Sequence, residues 1–319
     1  MSARNAKTVD VVGAGINATD TLIRLPQFPT IESKVEFLSS IVLPGGQVAS
    51  AIVACAKWGL KTRYVGKVGD DFAGKLQRKE FEKAGVEARL AEVPGAQSQT
   101  AFILVDVPSG ERTVLWNRTA EMTLNPEDIQ REWIVNARAL LVDGHDTVAA
   151  AMAARWAREA GIPVTSDLDN LYPGVEVLLE NVDYTVTSKE FPARLTGEKD
   201  LLKALPAIQK RFRNQLTAAT LGRGGVLAWD GQRFRYNPAY VVETVDTTGA
   251  GDIFHGAFVY AQLAGWPLDE QLAFSCAAAA LNCKAMGARG GIAPLTQIRE
   301  LMRKGTTYPQ LFSAREFKG

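Results

Sequence analysis

Apolar and polar positions along this chain fall into short blocks whose period changes. Val9, Val11 and Val12 form an apolar run closed by Gly13, which predicts a first core strand over residues 8–12. Thr19, Thr21 and Ile23 follow, then Pro26 and Pro29, so this segment reads as extended. A looser alternation over 35–42 predicts another strand, and Pro44-Gly45-Gly46-Gln47 opens a helix to about Trp58. A strand over 62–66 precedes a helix that ends near Ala84-Gly85, with Asp70 or Asp71 placed to cap it. Alternating runs over 99–107 and 112–117 flank Pro108-Ser109-Gly110-Glu111 and predict a hairpin.

From Ala139 onward, short apolar strands (140–142, 164–166, 184–186, 218–221, 226–229) alternate with helices over 147–160 and 201–212. That alternation predicts an α/β fold: a mostly parallel sheet with helices on both faces and ligands beyond the carboxyl ends of its strands. His145, Asp167, Asp169, Glu190, Thr220 and Asp252 each read as following a strand, so one crevice can collect them. An Ala-rich helix over 269–285 offers a smooth face to another helix or a flat purine.

Composition narrows the classes. The 319 residues are 46% hydrophobic, enough for a large core, and the net charge of +1 gives no footprint for nucleic acid. No apolar run is long enough to span a bilayer, and no secretory leader is evident, so a cytoplasmic protein without membrane contact is expected. Cys55, Cys276 and Cys283 lack metal spacing and read as buried thiols. His145 and His255 are too few for a histidine-based zinc site.

Two glycine motifs compete for the chemistry. Gly13-Ala14-Gly15-Ile16-Asn17-Ala18 fits the GxGxxA pattern of a dinucleotide-binding dehydrogenase. That pattern requires a helix next, and the extended segment after it removes the context. The second motif, Val245-Asp246-Thr247-Thr248-Gly249-Ala250-Gly251-Asp252, reads as a strand end, a glycine loop and the start of an apolar helix. The free N–H groups and positive dipole end of such a helix suit a phosphate. A carboxyl in the same turn suits a base that takes a proton from a hydroxyl while the amides hold a phosphoryl group.

Asp-Thr-Thr-Gly-Ala-Gly-Asp followed by a Gly- and Ala-rich apolar helix resembles the C-terminal signature of the ribokinase (PfkB-type) carbohydrate kinases, and the resemblance runs from about Val9 to Arg303. It implies one ribokinase-like α/β/α domain over 8–310. A small β lid would be inserted at about 18–42 and 98–118, with a basic tail over 311–319. It implies ATP and Mg²⁺ as cofactors. Gly249, Ala250 and Gly251 would form the anion hole, and Asp252 the catalytic base. Asp20 would bind sugar hydroxyls, and Gly45 and Gly46 would bring amides to the sugar. Many members carry Asn four residues after the second glycine, where this chain has Ser50. Asn117 and His145 are further acceptor candidates. Thr220, Gly222, Gly225 and Thr248 would hold the nucleotide, and Glu190 would organise Mg²⁺ through water. Asp246, Thr248, Gly287 and Gly291 correspond to a monovalent-cation site of the K⁺ type.

Similarity is greatest to the branch holding ketohexokinase and sulfofructose kinase. Sulfofructose kinases place an arginine for the sulfonate where this chain has Asp143-Gly144-His145-Asp146, which favours a neutral ketose or pentose such as fructose or ribose. Phe28, Phe37, Leu38 and Trp116 leave a nucleoside acceptor open, and a non-catalytic sugar sensor on the same fold is a further alternative. Exposed lid strands invite pairing between subunits, so a homodimer is expected.

Overall fold

The first strand, β1 (Val9–Ala14), has apolar side chains on both faces, and Val11 and Val12 are wholly buried. In chain order β2 (Ala18–Leu25), β3 (Ser39–Gly45), α1 (Gln47–Lys57), β4 (Thr62–Gly69), α2 (Phe72–Lys83), β5 (Glu87–Val93), β6 (Thr100–Asp106) and β7 (Arg112–Asn117) follow. The second half runs α3 (Arg131–Val135), β8 (Ala137–Asp143), α4 (Thr147–Glu159), β9 (Val164–Leu168), α5 (Val175–Leu179), β10 (Tyr184–Ser188), α6 (Phe191–Thr196) and α7 (Leu201–Phe212). It closes with β11 (Leu216–Thr220), β12 (Val226–Trp229), β13 (Phe234–Asn237), α8 (Ala250–Leu263), α9 (Leu268–Asn282) and α10 (Leu295–Lys304). The computed structural model describes residues 7–109 and 111–312. Gly110 of the expected turn and the tail from Ser313 lie outside the described residues.

The large sheet has the order β13-β12-β11-β10-β9-β8-β1-β4-β5, parallel from β11 to β5, with β12 and β13 antiparallel at one edge. Its strands are apolar on both sides because each side is covered. Val12, Leu140 and Val142 pack toward α4 and α5, whereas Val11, Ala139 and Leu141 pack toward α1 and α8. Close approach of α1 and α8 depends on Gly256, where a Cβ would lie 2.7 Å from the carbonyl oxygen of Ala51. From β1 the chain moves outward to β4 and β5, then returns to β8 on the other side. β1 and β8 therefore flank a topological switch point, where a crevice opens beyond their carboxyl ends.

A second sheet, β3-β2-β6-β7, stands apart on its own small core of Leu22, Ala101, Ile103 and Val105, with Leu43 and Met286 packed against it. Here β2 is a strand running straight on from Gly15-Ile16-Asn17, not the helix that a dinucleotide site needs.

Several boundaries differ from expectation. The second strand of the small sheet begins at Ser39, not 35, because β2 ends at Leu25 and the ladder starts with Arg24 opposite Ser39. Residues 245–246 are not a strand end, since the N–H groups of Val245 and Asp246 donate to the carbonyl of Cys283. Asp167 lies within β9, not after it, and α9 stops at Asn282, short of Ala285. β5, β13 and α10 carry too many charges, or are too short, to declare themselves by period. Asp71, not Asp70, caps α2 by accepting from the N–H of Gly74.

Candidate active site

The glycine loop is positioned by Asp246, which is fully buried. Its Oδ1 accepts from the N–H of Thr248 at 2.9 Å and the hydroxyl of Thr248 at 2.7 Å, and its Oδ2 accepts from the N–H of Gly287 at 2.8 Å. One side chain thus joins residues 246–251 to the loop that follows α9. Gly249 completes the joint at φ 75°, and a Cβ there would lie 2.4 Å from Cα of Ala288. This left-handed turn delivers the chain into α8 with Ala250, Gly251 and Asp252 as its first residues. The N–H of Ala250 donates to the carbonyl of Thr247 at 3.3 Å, whereas those of Gly251 and Asp252 belong to the first turn, for which a helix has no carbonyl partner of its own.

Asp252 opens onto the crevice but is enclosed enough that burial pushes its carboxyl up to about 6. The Arg112 guanidinium acts the other way, and Asp169 adds to the rise. Arg112 comes from β7 of the small sheet and donates to the hydroxyl of Thr247 at 2.7 Å, spanning the gap between the two sheets. Asp20 on β2 is 5% exposed, and burial and the Asp252 charge push it up to about 7. A Cβ on Gly45 would lie 1.9 Å from Oδ2 of Asp20, so only glycine lets that carboxyl sit against the Gly45-Gly46 turn.

Further carboxyls crowd the same crevice. Asp167 is held well above the usual carboxylate range by burial and by Asp252, Asp169 and Asp143, and its Oδ2 makes no hydrogen bond. His255, one turn below Asp252, places Nδ1 at 2.7 Å from the carbonyl of Gly251 and 3.2 Å from Asp167 Oδ2. Burial pushes His255 down to about 4, and its Nε2 lies 3.4 Å from the carbonyl of Val186. Asp143 at the end of β8 accepts from the N–H groups of Ile16 and His145, and burial lifts it to about 8.

A cavity of about 420 Å³ lies on the other side of the glycine loop. Thr220, Gly222, Gly225, Ala250 and Gly251 line it, together with Arg112, Arg223 and the small-residue face of α9 at Ala279 and Ala280. Its apolar wall and glycine rim suit a flat ring with a polar tail.

The remaining candidates scatter. Thr248 is not in the cavity wall, because its hydroxyl is used by Asp246. Ser50 is fully buried and accepts from Nε of Arg289 at 3.2 Å, so Arg289 occupies the space beside it. Asn117 ends β7 and is exposed, and His145 packs between Tyr172 and Trp116 at ring separations of 4.6 and 6.2 Å. Glu190 is exposed at the start of α6, beyond β10. Around the expected monovalent-cation position, the buried Asn282 donates through Nδ2 to the carbonyls of Thr248 and Ala288, both at 3.2 Å, and accepts from the N–H of Gly291. Among the described residues no group of three or more His, Cys, Asp or Glu is arranged to hold a metal directly, and no helix is long and apolar enough to cross a membrane.

Arg112, Asp143, Asn282 and Arg289 are absent from the sequence-derived site, whereas Asp167 is among the residues that the sequence gathers at the crevice. Asn282 alone carries a sequence signal, as a polar residue in an otherwise apolar helix. The others become visible only when distant segments meet.

A parallel α/β sheet with a second sheet over its switch point, a phosphate-type loop and a carboxyl in that loop define a phosphotransferase class. Residues 32–294 match the pfkB family of carbohydrate kinases, and the chain belongs to that family. It is 28% identical to an ATP-dependent ribose-1-phosphate kinase of Halopiger xanaduensis over 286 residues, 88% of this chain and 94% of that one. It is 30% identical to a fructokinase of Klebsiella pneumoniae over 268 residues, covering 76% and 86% of the two chains. The ribokinase structure of Thermotoga maritima shares the fold, with a TM-score of 0.78 at 24% identity over 93% of this chain and all (100%) of that one. The chain is therefore a sugar kinase of the ribokinase-like fold.

Replacing Gly249 by Ala should strain the left-handed turn and push the loop off Ala288. Amide exchange over 246–252 should accelerate while exchange in the central strands stays unchanged; unaltered loop exchange would show that the joint does not depend on this glycine.

Proposed function

We propose that this kinase transfers the γ-phosphoryl group of Mg·ATP to a hydroxyl of a small neutral sugar, a ketose or pentose such as fructose or ribose. The observation that carries the reading is the placement of Asp252: it sits in the first turn of α8, between the cavity beside Gly222 and Gly225 and the crevice holding Asp20. Adenine would lie on the Ala279–Ala280 face and the phosphates against the glycine rim. Asp20 would accept acceptor hydroxyls, and the Gly45-Gly46 turn would add backbone donors. Asp252 would take the proton of the attacking hydroxyl, while the amides of Gly249, Ala250 and Gly251 meet the charge that develops on the transferred group. The small sheet would act as a lid that excludes water, with Arg112 as its bridge to the loop.

A divalent ion fits this crevice, because Asp167, Asp169 and Asp252 repel one another and Asp167 Oδ2 has no donor. Asp167 and Asp169, with Glu190 at the rim, would hold Mg²⁺ through its waters, and the ion would neutralise phosphate charge. The same crowding of carboxyls favours a neutral acceptor over an anionic one. One observation supports a nucleoside instead: Trp116, His145 and Tyr172 form a ring cluster beside the crevice that can stack a base. ADP release across a panel of free ketoses, aldoses, nucleosides and phosphorylated sugars separates these readings. A single efficient acceptor identifies the class, and silence across the panel would remove the neutral-sugar reading.

The outer face of the small sheet exposes Val42, Phe102 and Leu115 in one row of paired strands. Burying that row between two copies would make a dimer. Light scattering at micromolar concentration should give twice the chain mass, and a monomer would count against it.

Asp252→Asn should lower kcat by about 10²–10⁴-fold with nucleotide affinity kept; full activity would exclude Asp252 as the base. The base must be deprotonated to act, so kcat/KM should rise with pH through about 6 and level off above it. Arg112 holds the Asp252 carboxyl down, so Arg112→Met should move that midpoint to higher pH. A midpoint that stays put would mean the two charges are not coupled. Asn282 Nδ2 donates to the carbonyl of Thr248, one of the four positions of the expected monovalent-cation site, and on this reading the amide would stand in for K⁺ there, so the wild type should not need the ion. Asn282→Ala should create a response to K⁺ over Na⁺, and a strong K⁺ requirement in the wild type would contradict this role of the amide.

A further inference from the structure

A second cavity, of about 390 Å³, lies between the ends of α1 and α2, the end of β3 and the loop 286–290. It shares no lining residue with the cavity beside the glycine loop. Its charged lining is Lys57, Lys83, Arg289 and Glu80, three cations against one carboxyl. Leu43 and Met286 add apolar wall.

The cations are poorly matched within the protein. Lys83 approaches Glu80 only to 3.8 Å, and both sit in solvent to some degree. Lys57 has no ion pair within 4.0 Å among the described residues. Its ammonium is held below the usual lysine value by partial burial and by Lys83 and Arg289, against which Glu80 is the smaller influence. Arg289 is only 7% exposed. Its Nη2 donates to the carbonyl of Gly45 at 2.7 Å and to Gln77 Oε1 at 3.2 Å, and its Nε donates to Ser50. Nη1 is buried with no partner. A buried charged donor left unpaired is costly, and the Arg289 side chain that carries it also lines the cavity.

We propose that this cavity binds a small phosphate-type dianion, either the free ion or the phosphate of a small ester, behind the Gly45-Gly46 turn. Three separate cationic groups ask for an anion with at least three acceptor oxygens, which phosphate has and a carboxylate lacks. The exposed lysines attract the anion from solvent, and the apolar wall strengthens the interaction once it is seated. The space exceeds a bare phosphate, so an organic remainder can be accommodated. Arg289 links this site to the acceptor crevice. The guanidinium that meets the anion also holds the Gly45 carbonyl, and Gly45 carries the Asp20 carboxyl on its bare Cα. Occupancy should therefore change how the acceptor binds, and leave the nucleotide cavity unaffected.

The test is calorimetric titration of inorganic phosphate and, separately, glycerol 3-phosphate into the full chain in the presence of Mg·ADP. Ionic strength is held constant with chloride. The comparison protein is Lys57→Gln/Lys83→Gln, which removes two of the three cations and leaves Arg289 and its hydrogen bonds in place. Saturable binding to the wild type that weakens by about tenfold or more in the double variant, with melting temperature unchanged, is the expected result. Tighter binding of the ion or of the ester tells which source is the ligand. Equal affinity in the two proteins, or no saturable binding to the wild type, overturns the proposal. No turnover is measured, so failure of the kinase reading would leave this result standing, and the reverse also holds.

Discussion

A buried carboxyl with three hydrogen bonds, Asp246, is the constraint on which the site depends. It ties the glycine loop to the loop after α9 and fixes where α8 begins. Asn282 braces the same joint from the opposite side through three further bonds. Buried polar groups of this kind hold a unique geometry because each alternative leaves a donor or acceptor unmet. The joint allows a helix to begin at Ala250, and it sets Asp252 in the first turn, next to Ala250 and Gly251 in the wall of the larger cavity.

Charge gives the crevice its second character. Asp20, Asp143, Asp167 and Asp252 all lie above their ordinary values because burial and mutual repulsion act together. Arg112 and Arg289 offset the rise at Asp20 and Asp252, the first from the small sheet and the second from the C-terminal loop. Perturbed carboxyls gathered in one crevice mark it as a candidate functional site. The two arginines also connect parts of the fold: Arg112 bridges the sheets, and Arg289 joins the Gly45-Gly46 turn to the second cavity.

Family membership fits this physical picture without deciding the acceptor. Relatives of similar distance include a ribose-1-phosphate kinase and a fructokinase, so the shared fold supports several acceptors. On the proposed reading, the difference lies in side chains around Asp20. Here Ser50 has given its surroundings to Arg289, a local rearrangement that separates this crevice from one lined by Asn at that position.

The alternation of short apolar strands with helices, and the glycine loop ending in Asp252, were determined by the sequence alone, because period and turn chemistry are local properties. The same locality showed that the N-terminal glycine motif leads into a strand, and that a helix opens directly after Gly46. Strand limits were less legible where pairing decides them: β3 starts where β2 offers partners, and β5 is an edge strand whose charges hide its period. The charged framework of the site came only from tertiary structure. Arg289 meets Ser50 across 239 positions and Arg112 meets Thr247 across 135. No local pattern encodes such meetings, since they depend on how the sheets stack and on which buried groups must find partners.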